Sequence, residues 1–301
     1  MQQYSAFGLT WQSDLSLNQF QKKMIHDESP DIVVTLKLRE PPLRQSGVSF
    51  NNFLIYPDGL RFMAGNDAIF DLHHGQLIDV YPGPAWNETL TEYFYGSVVF
   101  AILTQRGYLA FHGTSLAFDK RGLMICGRKG MGKSTVSAAL IALGGQLIAD
   151  DLTVIKIDEQ RPPMLLPGRT NIRLYPDLAN LIEENGGKMT IDGFNAYGKV
   201  CARMKQIACN TKTPLQAIVI LNAEANEEIT VLQPAAKLIR ASAQQFRPRL
   251  AKQLPGYQQR HDLFFNSIPA LRVAVIRPPA VYNAKSLWSL ADKIKEFIYD
   301  E

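Results

Sequence analysis

The chain has 301 residues, of which 46% are hydrophobic and 20% charged, and a net charge of +4. Such a composition supports a globular core in one large domain or two smaller ones. The mild charge, with no long basic run, argues against a nucleic-acid partner. No stretch reaches the ~18 uninterrupted apolar residues of a membrane helix, so a membrane is not expected as a partner either.

Met1-Gln-Gln-Tyr-Ser-Ala-Phe7 lacks the basic and then apolar regions of a secretory leader. Cys126, Cys201 and Cys209 form an odd, sparse set, which predicts a reducing, cytoplasmic setting without a disulfide framework. The sequon Asn87-Glu-Thr89 carries little meaning in that setting.

Residues 1–87 form a β-rich region. Asp31–Leu38 is a strand, and Val48–Tyr56 pairs with Leu60–Met63 across Pro57-Asp-Gly59 as a hairpin. Ala68–Leu72 and Leu77–Tyr81 continue the series, and Pro82-Gly-Pro84 breaks it. A second region, 88–301, opens with a helix from Glu88 to Arg106, whose Tyr93, Phe94, Val98, Phe100 and Leu103 have helical spacing. Tyr108–His112 and Ser115–Phe118 are expected as paired strands, with a turn at Asp119-Lys-Arg-Gly122.

Next comes Gly127-Arg128-Lys129-Gly130-Met131-Gly132-Lys133-Ser134, which fits G-x-x-x-x-G-K-[ST], a nucleotide phosphate-binding loop. A short apolar strand, Gly122–Cys126, precedes it. An apolar helix, Ser134–Leu143, follows and is closed by Gly144-Gly145. The chemistry explains the residue types. Glycines let backbone N–H groups turn toward phosphates, and the helix N-terminus adds partial positive charge. Lys133 reaches the β- and γ-phosphates, the Ser134 hydroxyl binds Mg²⁺, and Thr135 completes the first helical turn.

Gln146–Ala149 is a strand ending in Asp150-Asp151. Ligands in open α/β sheets bind at the carboxyl ends of strands, so these acids are placed to face the phosphates. One can hold Mg²⁺ and the other can accept the proton of an attacking hydroxyl. His112, at a strand end, is a third candidate, although such a histidine is more often structural. Thr153–Ile157 is a strand and 159–170 a loop. Ala217–Leu221, Ile229–Leu232 and Leu271–Ile276 are later strands. A closing helix, Lys285–Tyr299, carries Leu287, Leu290, Ile294, Phe297 and Ile298 on one stripe. The basic stretch Arg247, Arg249, Lys252 and Arg260 reads as a solvated face, with an acidic or phosphate ligand as the alternative.

Leu109-Ala-Phe-His112-Gly-Thr-Ser115, the glycine loop and Leu147-Ile-Ala-Asp150-Asp151 together resemble the HPr kinase/phosphorylase catalytic domain and its HPr kinase-like relatives. Arg173-Leu-Tyr-Pro-Asp177 is similar to an R-L-W-P-D stretch in many of those relatives. Ala6-Phe-Gly-Leu9 and Ser13-Asp-Leu15 look like the start of biosynthetic-cluster members, which include lasso-peptide precursor kinases. The specific match spans about residues 105–180.

The resemblance implies an α/β fold with a P-loop kinase domain of HPr kinase and phosphoenolpyruvate carboxykinase type; the β-rich residues 1–87 are a different module, read as a substrate-recognition region. It implies ATP and Mg²⁺ as cofactors and a seryl hydroxyl of a peptide or small protein as acceptor. His112 with one aspartate would form the acid–base couple. Ser134 and the other aspartate, Asp150, would serve the metal, and Lys133 with residues 127–135 would hold the phosphates. A homo-oligomer accords with that family's habit. The chain departs from the pattern at Gly113-Thr-Ser115, where relatives carry Ala-Ser. It also lacks the glutamate- and glycine-rich signature tied to phosphorolysis, with Gly168–Arg173 standing roughly in that place. The rival readings are a small-molecule kinase of the same fold and a non-catalytic nucleotide sensor.

Overall fold

The computed structural model describes residues 1–24, 29–42, 46–86, 92–159, 161–169, 171–194, 198–204 and 211–300. The sequon, the start of the helix expected from Glu88, and Cys209 lie outside them. The chain divides into two compact units, Met1–Ala110 with Phe246–His261 and Phe111–Gln245 with Asp262–Glu301.

Among the described residues, the first unit is built on nine strands. They are β1 (Gln2–Ala6), β2 (Leu9–Ser13), β3 (Gln21–Lys22), β4 (Ile32–Leu36), β5 (Val48–Phe50), β6 (Phe53–Tyr56), β7 (Gly59–Met63), β8 (Ala68–His73) and β9 (Leu77–Pro82). They form one sheet in the order β3-β1-β2-β4-β9-β8-β7-β6-β5. Ile32 and Val34, Phe70 and Leu72, and Ile78 and Val80 all lie in its core. Residues 48–56 are not one strand: Asn51 adopts a left-handed φ of 51° and splits them into β5 and β6. Arg61 and Asp71, directly opposite in β7 and β8, form a buried bidentate ion pair at 2.6 and 2.7 Å. A helical stretch, π-wound at Phe94–Val98 and continuing as α1 (Val99–Gln105), belongs to this unit, with Phe94 against Phe70. That packing places the helix with the strands, not with the region after residue 87.

The second unit is mixed α/β. Its large sheet contains β10 (Leu109–Phe118), β11 (Arg121–Gly127), β12 (Gln146–Ala149), β13 (Leu152–Asp158) and β14 (Arg161–Leu166). A three-stranded sheet holds β15 (Ile172–Leu174), β16 (Met189–Phe194) and β17 (Val200–Met204). The large sheet is completed by β18 (Thr213–Leu221), β19 (Thr230–Val231) and β20 (Arg272–Ile276). The helices are α2 (Lys133–Ala142), α3 (Pro176–Glu184), α4 (Pro234–Ser242), α5 (Pro248–Ala251), α6 (Tyr257–Ser267) and α7 (Ala284–Tyr299), of which α5 and the first residues of α6 fall in the first unit. The stripe expected on α7 is buried, in one core with α2 and the sheet.

The large sheet differs from its sequence reading in two places. Residues 109–118 form one strand, whose hairpin partner is β11. Asp119 and Lys120 both have positive φ, 46° and 67°, the geometry of a two-residue hairpin turn that favours glycine. Lys120→Gly is therefore expected to stabilise the protein by roughly 0.5–1 kcal/mol, visible as a higher melting temperature. The segment taken as a loop contains β14, paired with β13 and β18. Its Pro162 and Pro163 lie where the β13–β14 register shifts, so the missing amides cost the ladder little.

Candidate active site

Strand direction assembles the site. β11, β18 and β20 run parallel, and β12 shares their direction because both it and β11 are antiparallel to β10. These four strands end on one edge, at Gly127, Ala149, Leu221 and Ile276. β10 begins there. Gly113 pairs with Cys126, which brings His112 beside the first glycine of the loop. Ser115 pairs with Ala149, which brings Thr114 beside Asp150.

The loop leads straight into α2, whose N-cap Gly132 is left-handed at φ 78°. Arg128, Lys129 and Gly130 are exposed at its crown, while Met131, Gly132, Lys133 and Ser134 are half-buried and Thr135 is buried. Lys133 Nζ donates to the carbonyls of Gly127 (2.9 Å) and Arg128 (3.3 Å), folded over its own loop. Burial lowers the pKa of this ammonium.

The two aspartates diverge because Asp151 takes a left-handed φ of 67°, a conformation aspartate tolerates better than most residues. Asp150 turns inward and is 2% exposed. Its Oδ1 accepts from Thr114 Oγ1 at 2.6 Å and from Ser134 Oγ at 3.4 Å, and Oδ2 accepts from the Arg173 amide at 3.4 Å. Burial pushes its carboxyl above the ordinary carboxylate range, although the Arg173 charge offsets part of this. Asp151 turns toward cations. Its Oδ2 accepts from Arg173 Nη2 at 2.6 Å and lies 3.9 Å from Arg169 Nη1, and Oδ1 lies 3.5 Å from His112 Nδ1. Burial alone would raise the Asp151 carboxyl, but Arg173, Arg169 and His112 together hold it below the usual range. Burial, then the Lys133 charge, holds the His112 imidazole below its ordinary value of 6.5.

His112, Ser134, Asp150 and Asp151 thus meet at one strand edge, with Lys133 close enough for its charge to act on His112. Three further residues belong to the group: Thr114, which fixes Asp150, and Arg169 and Arg173, which neutralise Asp151. The Arg173 stretch was visible only through the resemblance. Thr114 had no signal of its own, because its role follows from the β10–β12 register.

Cys126 is buried in β11, its thiol pushed up to about 12, and so is inert. The basic stretch is not uniformly solvated. Arg260 is buried and donates to the Pro255 carbonyl at 2.7 Å. It has room because Gly256 has no Cβ to meet the guanidinium.

The donor set suits a small hard cation. Ser134 Oγ and Asp150 Oδ1 are both oxygen ligands, and their 3.4 Å separation is close to the ~3 Å between neighbouring ligands of a cation bound at about 2.1 Å. Among the described residues no cluster of three or more histidines, cysteines or acids could form a closed metal cage. A magnesium ion held by one carboxylate and completed by substrate phosphates requires none. No helix of the described residues is long and apolar enough to cross a membrane.

No protein-family model matches the sequence, and no curated protein matches it. Among solved structures, the Hpr(Ser) kinase/phosphatase from Coxiella burnetii aligns with 64% of this chain and 99% of its own, at 16% identity and a TM-score of 0.33. A likeness of that size does not place the chain in that family.

Proposed function

We propose that the second unit is an ATP- and Mg²⁺-dependent phosphotransferase that passes the γ-phosphoryl group to a hydroxyl, a serine of a peptide or small protein. One observation carries the reading: Ser134 and Asp150 converge at 3.4 Å at the N-terminus of α2, beside the His112–Asp151 pair. A bare glycine turn needs neither feature. Bound ATP and Mg²⁺ supply the phosphoryl group and screen its charge. The residues do the rest. The loop amides, the α2 N-terminus and Lys133 hold the phosphates. Ser134 and Asp150 hold the metal. Arg173 and Arg169 keep Asp151 ionised. Asp151 orients His112 through Nδ1, leaving the couple to accept the proton of the attacking hydroxyl. The seryl acceptor rests on the sequence resemblance; substrate recognition is proposed for residues 1–87 as a module separate from it.

The couple has a pH signature. A neutral imidazole is the competent form, so transfer should fall as pH drops through the His112 pKa. Because burial and Lys133 disfavour the imidazolium, the midpoint of that acid limb is expected below 6.5. It should be absent from the residual rate of His112→Asn.

The direct test is label transfer from γ-labelled ATP with Mg²⁺, offered serine peptides in one reaction and free amino acids and sugar alcohols in another. A labelled peptide serine, lost in Lys133→Ala, supports the peptide kinase. Label on a small molecule alone moves the reading to a small-molecule kinase. ATP binding without transfer to any acceptor leaves a sensor.

A further inference from the structure

A loop that binds anions must present amides and hide carbonyls. Three of the six carbonyls of residues 127–132 accept from local donors. Lys133 Nζ takes those of Gly127 and Arg128, the Met131 amide also takes that of Arg128 at 3.2 Å, and the Val136 amide takes that of Gly132 at 2.9 Å. The Met131 carbonyl differs from these three. It accepts from the hydroxyl of Tyr282 at 3.0 Å, a residue 151 positions away.

Tyr282 is firmly held. It follows β20 on the sheet edge where β11 also ends, and it immediately precedes the α7 cap. That cap is a reciprocal box: Asn283 Oδ1 accepts from the Ser286 amide at 2.9 Å, and Ser286 Oγ accepts from the Asn283 amide at 3.1 Å. Ser286 Oγ also donates to the Val281 carbonyl at 3.1 Å. The ring packs with the α2–α7 core and lies over Gly132. A Cβ at Gly132 would collide with the tyrosine hydroxyl and ring, so glycine is required there by contact as well as by its φ of 78°.

The geometry has a mechanical consequence. In a trans peptide the carbonyl and the following N–H point in opposite directions. Drawing the Met131 carbonyl onto Tyr282 turns the Gly132 N–H to the other side. We infer that Tyr282 is a positioning residue for the glycine loop: its hydroxyl fixes the 131–132 peptide so that the Gly132 amide is presented to a bound polyphosphate. This inference rests on the phosphotransferase reading of the same loop. Without the hydroxyl, the peptide is free to rotate and present its carbonyl to the anion instead. Tyr282 touches the loop and not the reacting atoms, so it governs nucleotide affinity more than the chemical step.

The test uses Tyr282→Phe, which keeps the ring and removes only the hydroxyl, with Tyr299→Phe as control. Tyr299 donates to Asp119 Oδ2 at the β10–β11 turn, away from the loop. Calorimetry measures MgATP and inorganic tripolyphosphate binding to the full chain, alongside thermal unfolding. Tyr282→Phe should bind both probes about threefold to tenfold more weakly, the range expected for one lost hydrogen bond. Its KM for ATP should rise by a similar factor with kcat changed less than about twofold. Tyr299→Phe should match wild type. Unchanged affinity in Tyr282→Phe overturns the inference. So does weaker ATP binding with unchanged tripolyphosphate, which would put the tyrosine on the nucleoside instead. Wild type binding neither probe sinks the phosphotransferase reading itself, and this inference with it.

Discussion

Replacing Lys133 with alanine is expected to lower phosphoryl transfer by on the order of 10²–10³-fold, the usual cost of one preorganised electrostatic group. The argument is about charge. A γ-phosphoryl group in transfer carries negative charge spread over its oxygens, and a cation in a partly dry site stabilises it more than the same cation in water. Lys133 is half-buried, and burial already lowers its pKa, so it sits where its charge is poorly screened. Its ammonium donates to the loop carbonyls of Gly127 and Arg128. Phosphate oxygens offer it stronger, charge-assisted partners. Alanine leaves the Arg128 carbonyl its Met131 amide and removes a donor only from the Gly127 carbonyl, so the fold should survive, and its melting temperature checks that. Label transfer at saturating ATP isolates the rate effect from weakened binding. Activity within tenfold of wild type would remove Lys133 from the site.

The parts of this site that lie together along the chain were legible in the sequence. The glycine loop and the Asp150-Asp151 pair are local motifs whose flanking strand and helix signals agree, and the structure places each on the expected element. What the chain order hides is pairing. The sequence splits residues 109–118 at Gly113-Thr114, yet β10 runs through them, because its two neighbours supply the ladder that a glycine alone would weaken. Asp119-Lys120 lacks the glycine that usually marks a two-residue hairpin. Pro162-Pro163 looked like a break and is instead a register shift in β14. Ile191 and Phe194 of β16 remain exposed at 46% and 69%, so that strand has no alternating pattern to read. The arginine partners of Asp151 lie 18 and 22 residues beyond it, Arg169 on the chain before β15 and Arg173 within β15, a distance no local spacing rule spans.

The divergence of the two aspartates leads to the second large effect, one that runs in opposite directions for activity and stability. Asp150→Asn should abolish Mg²⁺-dependent transfer yet raise the melting temperature of the metal-free protein. The folded state raises the Asp150 pKa, so it favours the protonated form more than the unfolded chain does. At neutral pH the ionised carboxylate is therefore a destabilising charge, a penalty that fades only as pH falls through the raised value. Asparagine removes that charge and keeps an oxygen to accept from Thr114 and Ser134. It also places an N–H₂ against the Arg173 amide, but that contact is long at 3.4 Å, so its loss is the smaller term. A gain of about 1 kcal/mol corresponds to a shift of about 2 °C or more. Asp151→Asn should do the reverse. Its lowered pKa contributes stability above the ordinary carboxylate value of 3.8, which is lost as pH falls through the folded value, and removing its charge takes away the carboxylate that Arg173 and Arg169 face. Thermal unfolding of wild type and both variants, with and without Mg²⁺, separates the roles. Wild type should gain stability from Mg²⁺, Asp150→Asn should not, and Asp151→Asn should start lower but keep the gain. If Asp150→Asn melts below wild type without metal, the buried carboxylate is a structural acceptor, and Ser134–Asp150 is no longer the metal's place.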